Sequence, residues 1–320
     1  FYEDVTDENG KITVKELPAG AYTFRETISP NGYAVNANTF SFEMDTYGKV
    51  TGTTAFTNEP ITLTVKKMDS FSGKPMADIP FTLKDGAGNT VKTRMTDQGY
   101  RIAAVDGEET FQVDDNGYAE FRYLKTGKYT LVETVPTGYI AEDSVPFELT
   151  SSHSISEPFE LTVNNCPTGV KIIKLDASTN QPLSDAGFRI KVKDGTDFAT
   201  LSFTKQEDGK YFFDGNGKET DLMVDKNGEV VILGLPMGAV WIEESVVPKG
   251  YFPVTARKAE ITKETSALSP MVIKVPNSKS VKLGLDNDWW EIPAMIAGAV
   301  LLLGSAAFLV IKRKKKRLGD

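Results

Sequence analysis

Three residue types fall where strand alternation turns them toward apolar neighbours, and together they can do chemistry. Side chains two apart on a strand share a face. In 61–67 (ITLTVKK), Ile61, Leu63 and Val65 therefore carry Lys67 with them, while Lys66 points the other way. In 170–174, Val170 and Ile172 carry Lys174. Glu133 follows Tyr129 and Leu131 at the same period, Glu244 follows Val240 and Ile242, and Glu26 follows Tyr22 and Phe24. Asn165 follows Leu161 and Val163, Asn277 follows Ile273 and Val275, and Asn58 follows Phe56. Burying a lysine and a glutamate without partners would cost several kcal/mol each, so a recurrent inward set of Lys, Glu and Asn needs a reason.

An apolar site lowers a lysine's pKa and frees its amine as a nucleophile near neutral pH. Asparagine offers a carboxamide carbon. A buried glutamic acid can hydrogen-bond the Asn carbonyl and carry protons while ammonia leaves. The product is a Lys–Asn isopeptide bond, formed once within the fold, so it is a maturation step without turnover. A plainer alternative stands beside it: a buried Lys–Glu ion pair capped by Asn, or strand-end residues that reach solvent.

Internal repeats organise the elements that must position these groups. Asp7–Tyr22 (DENGKITVKELPAGAY), Asp114–Tyr129 (DDNGYAEFRYLKTGKY) and Asp225–Val240 (DKNGEVVILGLPMGAV) align without a gap at offsets of 107 and 111 residues, a spacing suited to tandem domains. Each reads as an Asn-Gly turn, a strand, a Gly-containing turn and a second strand. No helical period shows before the C-terminal run. The expected fold is all-β: tandem antiparallel β-sandwich, Ig-like domains followed by a single transmembrane helix. The boundaries expected are 1–58 (a domain without its first strands), 59–167, 168–279, a linker over 280–291, the membrane span 292–311 and a basic tail over 312–320. Because the first repeat starts in mid-pattern at Phe1, a longer protein with further residues upstream is expected.

Composition limits the function. The 320 residues carry a formal charge of −8, of which 312–320 contribute +5 and the remainder −13. An acidic body excludes nucleic acid as a partner, since phosphate binding needs a basic face. One cysteine, Cys166, excludes an intrachain disulfide, and one histidine, His153, excludes a multi-histidine metal site. His153 lies in a polar stretch (SSHS) that reads as a solvated loop. The Asp/Asn/Gly strings at 114–117, 214–217 and 225–228 lack the spaced ligands of a calcium loop and read as turns, so no metal and no cofactor is expected. Residues 87–114 exceed what the repeat needs and read as a long loop. Residues 292–311 form an uncharged 20-residue run, long enough as a helix for the bilayer core. Trp289 and Trp290 precede it as interfacial anchors, and Lys312 and Arg313 open the basic run after it. The positive-inside bias places the C-terminus in the cytoplasm and the β-domains outside.

The strands opening at Lys67-Met68-Asp69 and Lys174-Leu175-Asp176, the Y-x-Φ-x-E-T…P-x-G-Y element (Φ apolar) around Glu26, Glu133 and Glu244, and the closing Asn58, Asn165 and Asn277 resemble the CnaB-type, SpaA-like prealbumin-fold domains of Gram-positive surface adhesins and pilins. The resemblance covers residues 1–279. It implies a Lys67–Asn165 bond catalysed by Glu133 and a Lys174–Asn277 bond catalysed by Glu244, with Asn58 pairing with a lysine upstream. This sequence departs from the pattern in the middle element, which is one residue short between Glu133 and Pro136, and in the third, which has Val240 for Tyr and Ser245 for Thr. The tail resembles a cell-wall sorting signal without its LPxTG pentapeptide. The closest string, Val275-Pro276-Asn277-Ser278-Lys279, overlaps the strand of Asn277, so sortase processing stays open.

The expected function is a surface-anchored, self-stapled stalk, not an enzyme beyond its own maturation. It would sit on a bacterial surface and present an N-terminal binding region to host matrix or cell-surface ligands. Two other readings stay open: a plain tethered spacer for an upstream extracellular enzyme, and ligand binding by residues 59–279 themselves.

Overall fold

A computed structural model of the chain describes residues 2–282 together with 291 and 292, and every regular element among them is a β-strand. The residues fall into two compact units. One is built from residues up to Met68, Lys74–Thr134 and Glu142–Asn164; the other from Asp69–Gly73, Val135–Ala141 and residues from Asn165 onward.

The chain begins with an antiparallel three-stranded sheet, β1 (Gly20–Arg25), β2 (Thr39–Met44) and β3 (Val50–Gly52), in that order. Alternation sets one face apart: Tyr22, Phe24, Phe40, Phe42 and Met44 are half-buried while their neighbours are exposed.

Two sheets follow. β5 (Pro80–Asp85), β8 (Phe111–Gln112), β10 (Gly127–Glu133) and β12 (Val145–Leu149) form a four-stranded sheet in the order β12-β10-β5-β8. β4 (Thr62–Asp69), β6 (Thr93–Thr96), β7 (Gly99–Ile102), β9 (Tyr118–Arg122), β11 (Tyr139–Ile140) and β13 (Phe159–Pro167) form a six-stranded sheet in the order β11-β13-β4-β9-β7-β6. Inward residues of both, among them Ile61, Leu63, Val65, Phe81, Leu83 and Phe121, make one core, as two packed sheets with alternating faces must. Residues 87–114, expected to be a loop, instead supply β6, β7 and β8. Phe111 is the reason: it is buried and stacks on Phe81 and edge-on to Phe121, so the excursion is tied into the core.

The last sandwich repeats the plan. β14 (Gly169–Asp176), β17 (Thr204–Lys205), β18 (Tyr211–Phe212), β20 (Glu229–Leu233) and β23 (Met271–Asn277) form one sheet in the order β17-β18-β20-β14-β23. β15 (Gly187–Asp194), β16 (Asp197–Thr200), β21 (Gly238–Val246) and β22 (Arg257–Ile261) form the other in the order β16-β15-β21-β22, with β19 (Leu222–Met223) pairing β15. Val170, Ile172, Phe188, Ile190, Ile232 and Ile242 fill the space between. The pairings of β14 with β20, β15 with β21 and β21 with β22 are antiparallel, as expected, while the first and last strands of this sandwich, β14 and β23, run parallel over seven residue pairs. A short pair, β24 (Val281–Lys282) with β25 (Glu291–Ile292), closes the described chain.

The turns explain the Asp-x-Asn-Gly strings. Asp114 Oδ1 accepts the backbone N–H groups of Asn116 and Tyr118, and Asp225 Oδ1 those of Asn227 and Glu229. Gly117 and Gly228 then take φ of 75° and 71°, which a residue with a Cβ adopts only at a cost. Likewise Asp214 Oδ1 accepts from Asn216. These carboxylates serve their own turns. Among the described residues no helix is long and apolar enough to cross a membrane; residues 293–311 of the apolar run, with Trp289, Trp290, Lys312 and Arg313, lie outside them.

Candidate functional site

Lys174 sits on β14, Asn277 on the adjacent parallel β23, and Glu244 on β21 of the facing sheet. The β14–β23 register sets Lys174 opposite Val275 and Asp176 opposite Asn277, so Lys174 and Asn277 are diagonal neighbours on the inner face. Lys174 and Asn277 are fully buried. Lys174 Nζ lies 2.6 Å from Glu244 Oε1, with neither side chain exposed, and it also contacts the amide oxygen of Asn277. Asn277 Nδ2 donates to Glu244 Oε1 and Oε2 at 2.8 and 3.0 Å. The carboxylate thus touches both the amine that would attack and the amide nitrogen that would leave. Burial pushes the Lys174 amine below its ordinary pKa, and the neighbouring Glu244 acts in the opposite sense.

Groups that the sequence reading passed over hold this triad in place. The ring of Phe188 lies beneath Lys174, with Nζ 5.8 Å from its centroid. Phe188 faces Glu244 across the β15–β21 pair. The backbone N–H of Val254, ten residues after Glu244, donates to Glu244 Oε2 at 3.0 Å and fixes the carboxylate's rotation. Asp176, two residues after Lys174, accepts at Oδ1 from the Ser178 and Thr179 N–H groups and at Oδ2 from the Tyr251 hydroxyl at 2.7 Å. The Tyr251 hydroxyl, aided by those amides, holds Asp176 well below the usual aspartate range.

That depression has a definite sign. A carboxylate with a lowered folded pKa contributes stability that is complete above the ordinary aspartate value of about 4 and is lost as pH falls through the folded value. The stability difference between the wild type and Asp176→Asn is therefore expected to be widest at neutral pH and to narrow progressively below about pH 4. Denaturant titrations at a series of pH values read this directly; a pH-independent difference would remove Asp176 from the account.

The middle sandwich places the same residue types in the same elements. Lys67 on β4 is fully buried, whereas Lys66 is half-exposed. Its Nζ lies 3.1 Å from Glu133 Oε2 on β10, with side-chain exposures of 0% and 2%. Asn165 is buried on β13, the neighbour of β4 in the six-stranded sheet. Glu133 stands opposite Phe81 just as Glu244 stands opposite Phe188. Both phenylalanines follow their lysine by 14 residues, a spacing that the sequence displays. The Lys67–Glu133 pair forms with the element after Glu133 one residue short, the difference falling beyond the end of β10. There Gly138 takes φ of 83°, close to the 84° and 83° of Gly32 and Gly250 in the other two elements.

Residues 20–58 place Glu26 and Asn58 together without a lysine. Asn58 Nδ2 donates to Glu26 Oε2 at 2.5 Å and to the Ala34 carbonyl at 2.8 Å. The Asn36 N–H, ten residues after Glu26, donates to the same carboxylate at 2.7 Å and repeats the role of Val254. His153 is a loop residue, as expected: its Nδ1 accepts the Thr150 N–H and its ring lies edge-on to Phe159.

The model of the SpaA prealbumin-like fold domain matches three successive stretches, 2–60, 61–160 and 168–271. No curated protein sequence matches the chain. Among solved structures it is similar to a streptococcal ancillary pilin, at 20% identity and a TM-score of 0.33, covering 82% of this chain and 76% of that one. It is similar to the Bacillus anthracis TIE protein at 23% identity and 0.34, covering 85% of this chain but 44% of that one. It is similar to the shaft pilin SpaA of Lactobacillus rhamnosus GG at 17% identity and 0.36, covering 70% and 99%. With those three stretches taking in well over half of its length, the chain belongs to the family of SpaA prealbumin-like fold domains.

Proposed function

We propose that this chain is the stalk of a Gram-positive surface protein, a pilin or adhesin, stiffened by autocatalytic Lys–Asn isopeptide bonds within residues 59–167 and 168–279. The observation that carries the proposal is the buried triad of Lys174, Glu244 and Asn277 in mutual contact. The neutral Lys174 amine attacks Asn277 Cγ, and Glu244 takes the amine proton. Glu244 then returns a proton to Nδ2, so that the Cγ–Nδ2 bond breaks and ammonia leaves. An apolar surround keeps water from competing for the carboxamide and strengthens each polar contact. Lys67, Glu133 and Asn165 have the same roles in the middle domain.

The bond also has a mechanical consequence. With β14 and β23 parallel, tension enters at the start of β14 and leaves at the end of β23. A Lys174–Asn277 link passes that tension from strand to strand and bypasses the chain between these two residues, which are 103 positions apart. The sandwich then cannot be unzipped by pulling. The apolar run 292–311 and the basic tail after it would hold the stalk at the cell membrane, with the β-domains outside.

Digestion of the denatured full chain tests the chemistry residue by residue. The expected result is a branched peptide joining the Lys174 and Asn277 segments, one ammonia lighter than the two linear peptides together. Recovery of both segments only as separate linear peptides would remove the bond and leave a buried ion pair.

A further inference from the structure

The two bond-forming sites differ at one position on the strand beside the glutamate. In the last sandwich Arg257 opens β22 opposite Ile242, and in the middle sandwich the same place, opposite Leu131, is held by Val145. Paired residues share a face, so Arg257 leaves its sheet on the inner side together with buried Ile242. β22 and β23 are the end strands of their two sheets. The exposed guanidinium crosses the open side of the sandwich, and its Nη1 donates to the Lys274 carbonyl at 2.8 Å. Lys274 directly precedes Val275, the residue that stands opposite Lys174 on the strand of Asn277. A charge-assisted hydrogen bond thus ties the strand of Asn277 to the sheet of Glu244. Beyond the asparagine the two sandwiches are held alike, by Pro167 with Tyr139 and by Lys279 with Tyr251. Before it, β23 has the arginine where the middle sandwich has a valine. The proton transfers of the bond-forming step make no use of this contact.

We propose that Arg257 is a positioning residue for the last sandwich: by clamping β22 to β23 it holds Asn277 against Lys174 and Glu244 before they are joined, and so speeds the joining. The inference rests on the reading of Lys174, Glu244 and Asn277 as a bond-forming set. Attack on Asn277 Cγ needs the amine, the carboxylate and the carboxamide in contact at once, and holding groups in such a geometry supplies much of an intramolecular rate. Asn277 lies on an end strand paired along its length by β14, so a tie on its other side limits fraying. The charge of Arg257 acts in the same direction. The charged groups around Lys174 are Glu244 from β21, Arg257 from β22 and, along its own strand, Asp176 with Lys279 at 3.5 Å. Lys274 and the Lys171–Glu229 pair lie on the outer side of their sheet. Burial lowers the Lys174 amine most, Glu244 opposes it, and the Arg257 charge adds to the lowering. Removing that charge lets the amine hold its proton to higher pH. The rate lost is therefore expected to be largest at low pH and to shrink as pH rises toward the ordinary lysine value of about 10.

The test follows the full chain, recovered unlinked from inclusion bodies and refolded by dilution, with each branched peptide quantified against time over a series of pH values. Arg257→Met keeps the length of the side chain but neither its charge nor its donors. It is expected to slow the Lys174–Asn277 branch by about three- to tenfold, the scale of one charge-assisted hydrogen bond at an exposed position. The Lys67–Asn165 branch of the same chain is expected to keep its wild-type rate. Arg257→Lys keeps the charge and a donor, and is expected to recover much of the rate together with the wild-type pH profile. A Lys174–Asn277 branch that forms at the wild-type rate in Arg257→Met would overturn the assignment and leave the stalk chemistry standing. So would a loss of rate that is equal at every pH and is not recovered by lysine, since that is the mark of a packing contact. A wild-type chain still unlinked at both sites after refolding would overturn the bond-forming reading and this inference together.

Discussion

Glu244→Ala is expected to fold into the same sandwich, retain the ammonia of Asn277 and melt far below the wild type. Two effects add. Without the carboxylate the amine has no proton acceptor, so the loop between Lys174 and Asn277, 103 positions apart, stays open. Closing a loop of that size is worth about 4–5 kcal/mol on the chain-entropy model. The substitution also leaves Lys174, fully buried on β14, without the partner at 2.6 Å, and removing one member of a buried pair costs about 3–5 kcal/mol. For a domain of this size even the first effect alone lowers Tm by roughly 15 °C or more. Glu244→Gln separates the two. It keeps hydrogen bonding to Asn277 but cannot take the amine proton, so it is expected to fold unlinked. Calorimetry paired with intact mass reads both quantities, and a Glu244→Ala chain that still loses the ammonia would contradict the assignment of the acid.

Phe188→Ala is expected to have the second-largest effect. Phe188 is 1% exposed, packs in the core of the last sandwich and supplies the ring beneath Lys174. Truncating a buried phenylalanine to alanine costs about 3–5 kcal/mol through lost burial and the cavity left behind. Here it also opens room for water beside an amine whose pKa is lowered by its dry surroundings, so the bond should form more slowly after refolding. Phe188→Leu preserves much of the volume without the ring face. It is expected to recover most of the stability and only part of the rate. Ammonia release on refolding, followed by mass against time, measures the rate; equal rates for the three chains would show that the ring serves packing alone.

The inward set was legible because strand alternation is strict and the flanking residues are strongly apolar. Ile61, Leu63 and Val65 leave only one face for Lys67, and that lysine is fully buried while Lys66 is not. The repeated glutamate element was equally plain, since its register depends on the strand leading into it and not on the turn that follows. The supports were harder to see. Phe81 and Phe188 look like ordinary core residues until the pairing sets each opposite a glutamate. The amides of Asn36 and Val254 carry no side-chain signal at all. The parallel run of β14 with β23 is a property of topology: strands about a hundred residues apart share no local pattern. Residues 87–114 looked like a loop because their apolar residues are sparse, yet Tyr100, Phe111 and Val113 anchor the excursion to the core. At the N-terminal sheet, alternation marks Tyr22 and Phe24 as inward. It cannot report whether a second layer covers them.

The intact mass of the denatured full chain tests the central claim most directly. The account predicts a mass two ammonias below that of the sequence, one from the Lys67 site and one from the Lys174 site. It further predicts that Glu133→Ala and Glu244→Ala each restore one of them. A chain at its full sequence mass would contradict the covalent stalk and leave Lys67 and Lys174 as buried lysines held by ion pairs alone.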